Sequence, residues 1–130
     1  MNINVRYHAH VFYDADERAE AERLRCRLFA AKGIGPLTSL AFVGELRDRC
    51  VGPFPKPQFE LHFHKDSLPA VVEELKASGL NALVHPLTDD DLADHTSLAL
   101  WIGEPLPLDH SAFDPPGKNQ GIARFGKADF

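Results

Sequence analysis

INVRYHAHVFY, residues 3 to 13, alternates its side chains with the period of two that marks a strand. Tyr7, Ala9 and Val11 fall on one face, and Arg6, His8, His10 and Phe12 on the other. Two imidazoles on alternate positions of an otherwise apolar run mean that one sheet face serves something other than the core. That face decides both the fold and the chemistry.

Outward from this strand, DADERAEAERLRCRLFAAKG, 14 to 33, reads as a helix. Asp14 or Asp16 can cap it, acidic residues fill its first turns, and Gly33 stops it. Ala21, Leu24, Leu28 and Ala31 form its apolar stripe. LAFVGELRDRCV, 40 to 51, is a second strand with Gly44 as a bulge candidate. GPFPKP, 52 to 57, makes a rigid hairpin loop. In the third strand, PQFELHFHKD, Phe59, Leu61 and Phe63 share one face and Gln58, Glu60, His62 and His64 the other. SLPAVVEELKASG, 67 to 79, is a helix with Ser67 at its N-cap and Gly79 at its stop. NALVHPL is a fourth strand whose facing the pattern leaves undecided. TDDDLADH is a short acidic helix capped by Thr88, and SLALWIG a fifth strand. From 104 onward the chain is rich in Pro and Gly, a tail that wraps the body or lies loose.

Strand, helix, strand, strand, helix, strand predicts an α+β, ferredoxin-like βαββαβ antiparallel sheet with its helices on one face, plus an extra strand and an extended C-terminal tail. The domain is expected over 1–110 and the tail over 111–130. The other sheet face must be hidden by a partner, a tail or a ligand.

Composition narrows the function. A chain of 130 residues with 44% hydrophobic and 25% charged residues is an ordinary globular domain. With net charge −5 and scattered Lys and Arg there is no basic stripe for nucleic acid. Neither a signal-peptide pattern nor an apolar run long enough to span a membrane is present. Cys26 and Cys50 stand apart and read as reduced thiols in a cytoplasmic protein.

In the ferredoxin-like order the first and third strands are neighbours and the fourth lies beside the first. His8, His10, His62, His64 and His85 can therefore meet on one patch. Imidazole is a common transition-metal ligand and a proton carrier near neutral pH, and histidines with a carboxylate such as Glu60 favour a first-row metal over calcium or magnesium. The plain alternative for an H-x-H on a strand is a surface pair, and for Asp89 to Asp91 a set of charges at a helix N-terminus. His95 follows Asp94, which could orient an imidazole. Arg47 and Arg49 share a strand face and could clamp a substrate carboxylate; Phe12, Phe54 and Trp101 could wall a planar ligand. No nucleotide-loop or serine-hydrolase motif occurs.

At YHAHVFYD, GPFPKPQFELHF, LVHPLTDDDLADH and ALWIGEPLPLD the chain resembles the DOPA 4,5-dioxygenase-like family, from about residue 5 to 110. The resemblance implies a small ferredoxin-like protein, commonly dimeric, that opens a catechol ring with non-haem Fe(II) and dioxygen. It carries the family's histidines onto His8, His10, His85 and His95. One departure stands out: the family's G-P-H-P loop reads Gly52-Pro53-Phe54-Pro55 here. An imidazole is missing there: either His62 or His64 replaces it, or the activity has changed or been lost.

Extradiol chemistry needs a metal with open positions, commonly held by two histidines and a carboxylate, and a separate acid–base group. The expected assignment is His10, His85 and Glu60 as metal ligands, His8 and His95 as catalytic groups, and Phe12, Arg47, Phe54, His62, His64 and Trp101 around the substrate. The cofactor expected is Fe(II) or another first-row divalent metal, and the partners a small aromatic substrate, dioxygen and a second copy in a homodimer. Two rival readings share the scaffold: a non-catalytic dimeric small-molecule binding module and a cofactor-independent monooxygenase.

Overall fold

The computed structural model of the chain describes residues 5–115 and 125–126. Five strands form one antiparallel sheet: β1 (Arg6–Phe12), β2 (Phe42–Val43), β3 (Gln58–His64), β4 (Ala82–Pro86) and β5 (Leu100–Ile102), in the order β2-β3-β1-β4-β5. The helices are α1 (Arg18–Ala31), α2 (Leu68–Ser78) and α3 (Asp91–His95). The α+β, ferredoxin-like arrangement is as expected, with β5 added beside β4.

The period-two pattern of β1 does what it promised. Ala9 and Val11 join Phe59, Leu61, Phe63, Ala82 and Val84 in one core that Ala21, Leu24 and Leu28 of α1 and Val71 and Leu75 of α2 complete. Burial of apolar side chains at about 25 cal/mol per Å² makes this layer the main stabilising contribution. Its register is fixed: His8 lies opposite His62 on β3 and His85 on β4, and His10 opposite Glu60 and Leu83. The undecided fourth strand thus turns Ala82 and Val84 to the helices and Leu83 and His85 to the other side.

Local signals were right in place and sometimes wrong in partner. Gly79 ends α2 at φ 76°, the left-handed conformation a glycine adopts without strain. Ser67 is the N-cap residue of α2, yet its hydroxyl accepts from the Ser39 N–H at 3.0 Å instead of capping. Thr88 does not cap α3: Asp90 does, accepting from the Ala93 N–H at 3.0 Å. The strand expected over 40–51 is reduced to two residues and an isolated bridge from Arg47 to Gln58. Val43 pairs with Leu61 and Arg47 with Gln58, so this edge carries one extra residue, as in a bulge. Gly44 sits inside that stretch, where a Cβ would lie 3.1 Å from Glu60 Cγ.

The second sheet face is covered by the chain itself. Phe12, Val51, Phe54 and Leu83 form a smaller core there, with Trp101, Leu106 and Leu108 packed against it. The Asp109 N–H donates to the Pro53 carbonyl at 2.9 Å, fastening the segment after β5 to the proline loop. The expected tail lies within the described residues only as far as 115 and at 125–126; that part wraps the body. No helix among the described residues is long and apolar enough to cross a membrane.

Candidate metal centre and cavity

On the covered face, a cavity of about 120 Å³ opens between β1, β4, the 52–54 loop, α3 and residues 112–113. Four imidazoles line it: His8, His10, His85 and His95. All four are buried, the most exposed being His95 at 7%. A closed engineered cavity of about 150 Å³ holds a benzene ring, so this space, somewhat smaller but open to the outside, is on the order of one aromatic ring.

The hydrogen bonds fix how these rings face. A carbonyl oxygen only accepts, so His85 Nδ1–H donates to the Pro86 carbonyl at 2.8 Å and His95 Nδ1–H to the Asp91 carbonyl at 2.7 Å. His10 Nδ1 lies 3.0 Å from Gln58 Oε1, another acceptor. Each Nδ1 thus carries the proton, and each Nε2 the lone pair. Yet His10 Nε2 and His85 Nε2 are only 3.1 Å apart. Burial, before any other cause, pushes His10 down to about 4 and His85 well below its usual value. Both rings are therefore neutral at pH 7, with two lone pairs turned toward one another.

That arrangement fits a metal ion. Ligating histidines typically hand their other N–H to a carbonyl or carboxylate, which sets the tautomer. Two nitrogens each roughly 2.1 Å from one ion would lie at about the spacing seen between His10 and His85. His8, His10 and His85 together offer ligand atoms all within 4.8 Å of one another.

Glu60 was expected beside His10 and His85, but it falls in a different group, His8–Glu60–His62. Its carboxylate stands 4.0 Å from His10 Nδ1 and 3.6 Å from His62 Nε2, on the side away from the cavity. His8 and His62 stack with centroids 3.7 Å apart and planes 8° from parallel. Lone pairs lying in parallel planes do not converge, so this second group is a poor cage for one ion. His8, expected as a catalytic group, is also among the ligand-capable histidines of the cavity wall.

The remaining expected site residues divide. Phe54 lines the cavity, its ring 4.3 Å from that of His10. Phe12 and Trp101 stack at 6.1 Å in the small core and do not line it. His62 lies behind His8, and His64 is half-buried against Phe125, 4.9 Å away. Neither takes the place left by the missing loop imidazole. Arg47 is tied into the bridge with Gln58 and Arg49 is exposed; neither reaches the cavity wall. Thr88 donates to Asp94 twice, at 2.9 and 2.5 Å. This clamp shapes the loop that delivers His95.

Sequence reasoning missed three contributors. Gln58, a polar residue in the strand pattern, is fully buried behind His10. Asp91 was given to the helix terminus, yet it lines the cavity and supplies the carbonyl for His95; its i, i+4 spacing to His95 was the available signal. Phe113, set aside in the tail, stacks on His95 at 4.5 Å. Its segment is held by the Asp114 N–H donating to Asp91 Oδ2 at 2.9 Å.

The chain is similar in sequence and fold to known proteins. A crystal structure from Nostoc punctiforme, of a protein provisionally described as a dioxygenase, superposes with a TM-score of 0.69 at 34% identity, covering 80% of this chain and 86% of that one. A DOPA 4,5-dioxygenase of Amanita muscaria is 28% identical over 107 residues, which is 78% of this chain and 46% of the relative. An uncharacterised 21.2 kDa protein of Botryotinia fuckeliana is 39% identical over 71 residues, 47% of this chain and 39% of the relative. The chain thus spans less than half the length of these curated relatives. The model of the Dopa 4,5-dioxygenase family matches residues 7–112, from the first strand to the segment that closes the cavity, and the chain belongs to that family.

Proposed function

We propose that this protein is a ring-cleaving dioxygenase that acts on a small catechol with a non-haem metal, Fe(II) in the first place. The observation that carries the reading is the approach of His10 Nε2 to His85 Nε2 at 3.1 Å, with both Nδ1 atoms already committed. His8, His10 and His85 would hold the metal. A first-row divalent ion with three protein ligands supplies open positions where both oxygens of a catechol and dioxygen can meet.

The chain's own groups supply the rest. His95, with its proton fixed on Nδ1 by the Asp91 carbonyl, has Nε2 as the basic nitrogen and takes the catechol proton. Phe54 and Phe113 wall the space for a planar ring and keep water out. With Phe54 in the loop, acid–base work in the cavity rests on His95. The test is metal content of protein purified without chelator, together with oxygen uptake on DOPA, caffeate and protocatechuate. Stoichiometric iron with ring-opened product supports the reading. No first-row metal bound and no uptake on any catechol rejects it, and turnover that survives EDTA points to the cofactor-independent monooxygenase.

A further inference from the structure

Behind the cavity wall lies the second buried group, His8, Glu60 and His62, whose ligand atoms also stand within 4.8 Å of one another. His8 belongs to both groups. A neutral imidazole has a single nitrogen lone pair, so His8 serves an ion in one group or in the other. Something must therefore assign it. The stack of His62 on His8 does not do so alone, because the last torsion of a histidine side chain is broad and lets the ring turn.

A turn far along the chain closes on this spot. The Gly126 N–H donates to His62 Nδ1 at 2.9 Å. Gly126 sits at φ 83°, a conformation that suits glycine. Phe125 beside it packs its ring 5.8 Å from that of His62 and 4.9 Å from that of His64, with the Arg6 guanidinium 5.4 Å from its centroid. A nitrogen that accepts carries no proton, so the proton of the His62 ring is on Nε2, the atom 3.6 Å from Glu60 Oε1. His62 is fully buried, and neither of its nitrogens has a lone pair left for an ion. We infer that the Phe125–Gly126 turn is a positioning element for the metal centre. By holding His62 in the Nε2–H form it withdraws the second group as a metal site and leaves His8 to His10 and His85. This role rests on the metal centre proposed above and adds what selects between two overlapping ligand sets.

The test titrates the full chain, with isotope-labelled histidines, with Zn(II) and follows the ring nitrogens by NMR, which separates the two tautomers and a metal-bound nitrogen. The metal-free parent should show His62 protonated on Nε2, and an equimolar amount of Zn(II) should move His10 and His85 and leave His62 unchanged. Gly126→Pro removes the donor and cannot take the positive φ. It should let His62 exchange tautomers and make Zn(II) detectable there, the balance between the groups moving about fivefold or more for the lost hydrogen bond. Phe125→Ala keeps the N–H and should act in the same direction to a smaller extent. His62→Gln added to Gly126→Pro should return the ion to His10 and His85. A parent His62 protonated on Nδ1, or a His62 that Zn(II) never reaches in Gly126→Pro, overturns the role of the turn and leaves the cavity centre standing. Zn(II) that misses His10 and His85 in the parent overturns both.

Discussion

His10 and His85 bring two neutral imidazole nitrogens to 3.1 Å, each ring anchored from behind, His10 by Gln58 and His85 by the Pro86 carbonyl. In a protein interior two facing lone pairs are unfavourable unless something positive lies between them. Three buried histidines, His8, His10 and His85, offer ligand atoms within 4.8 Å of one another there and could hold a metal ion. The cavity exists because β1 and β4 run side by side in a register that sets His8 opposite His85.

Removing a ligand should therefore remove the metal. His10→Ala and His85→Ala are expected to weaken first-row metal binding by about 100-fold or more, read by competition against a coloured chelator. His64→Ala, whose half-buried ring packs on Phe125 and not on the cavity, should stay within about threefold of the parent. Equal losses in all three variants would mean that histidines bind metal here without a defined centre.

Gln58 should act through His10. Gln58→Leu keeps the volume roughly constant but frees His10 Nδ1, so the ring can carry its proton on Nε2 and turn a donor toward His85. Partners of this kind are worth about 10- to 100-fold in metal affinity. The expected result is a loss in that range, with metal-free stability lowered by only about 1 kcal/mol, the net worth of one hydrogen bond. A variant that binds metal as tightly as the parent would show that Gln58 does not set the tautomer.

Much of this was legible because it is periodic. The alternation in β1 and β3 assigned His8, His10, Glu60 and His62 to one face, and Ser67 and Gly79 marked the two ends of α2. What sequence could not show was how neighbours on that face choose partners. Glu60 and His62 share the face with His10, but stacking on His8 takes His62 out of the cavity. Phe12 and Trp101 looked like ligand walls and serve as core, because the segment through Leu106 and Leu108 folds back over them. That return, which also delivers Phe113, has no periodicity to announce it; it depends on single contacts such as Asp109 to Pro53.

Acid should unfold the metal-free protein through its buried histidines. His10 titrates at about 4 in the fold, from burial, against roughly 6.5 in the unfolded chain. Between these values the unfolded chain takes up a proton that the folded one refuses. The stability present above pH 6.5 is thus lost as pH falls toward 4, by about 3 kcal/mol for this ring alone. His85, also lowered by burial, acts with the same sign. Urea unfolding at pH 7.5 and 4.5 measures the difference, and His10→Gln should flatten the dependence. A parent protein equally stable at both values would contradict the neutral, buried state of these rings.

Phe54 holds the loop position where the family resemblance leads to the expectation of an imidazole, and its ring lies 4.3 Å from His10 and 6.4 Å from His95. Phe54→His places a fourth nitrogen donor beside the metal-binding set without changing the loop, whose flanking prolines fix the backbone. The smaller, polar ring should cost about 1–2 kcal/mol in the metal-free state, because Phe54 is 3% exposed and packs with Phe12. Metal should restore that loss, since a ligand for the folded state alone stabilises it by mass action. Thermal unfolding with and without Fe(II) or Zn(II) gives both numbers in one experiment. If the metal-induced rise in Tm is no larger in Phe54→His than in the parent, the loop does not reach the ion, and Phe54 serves as a wall for the substrate ring and nothing more.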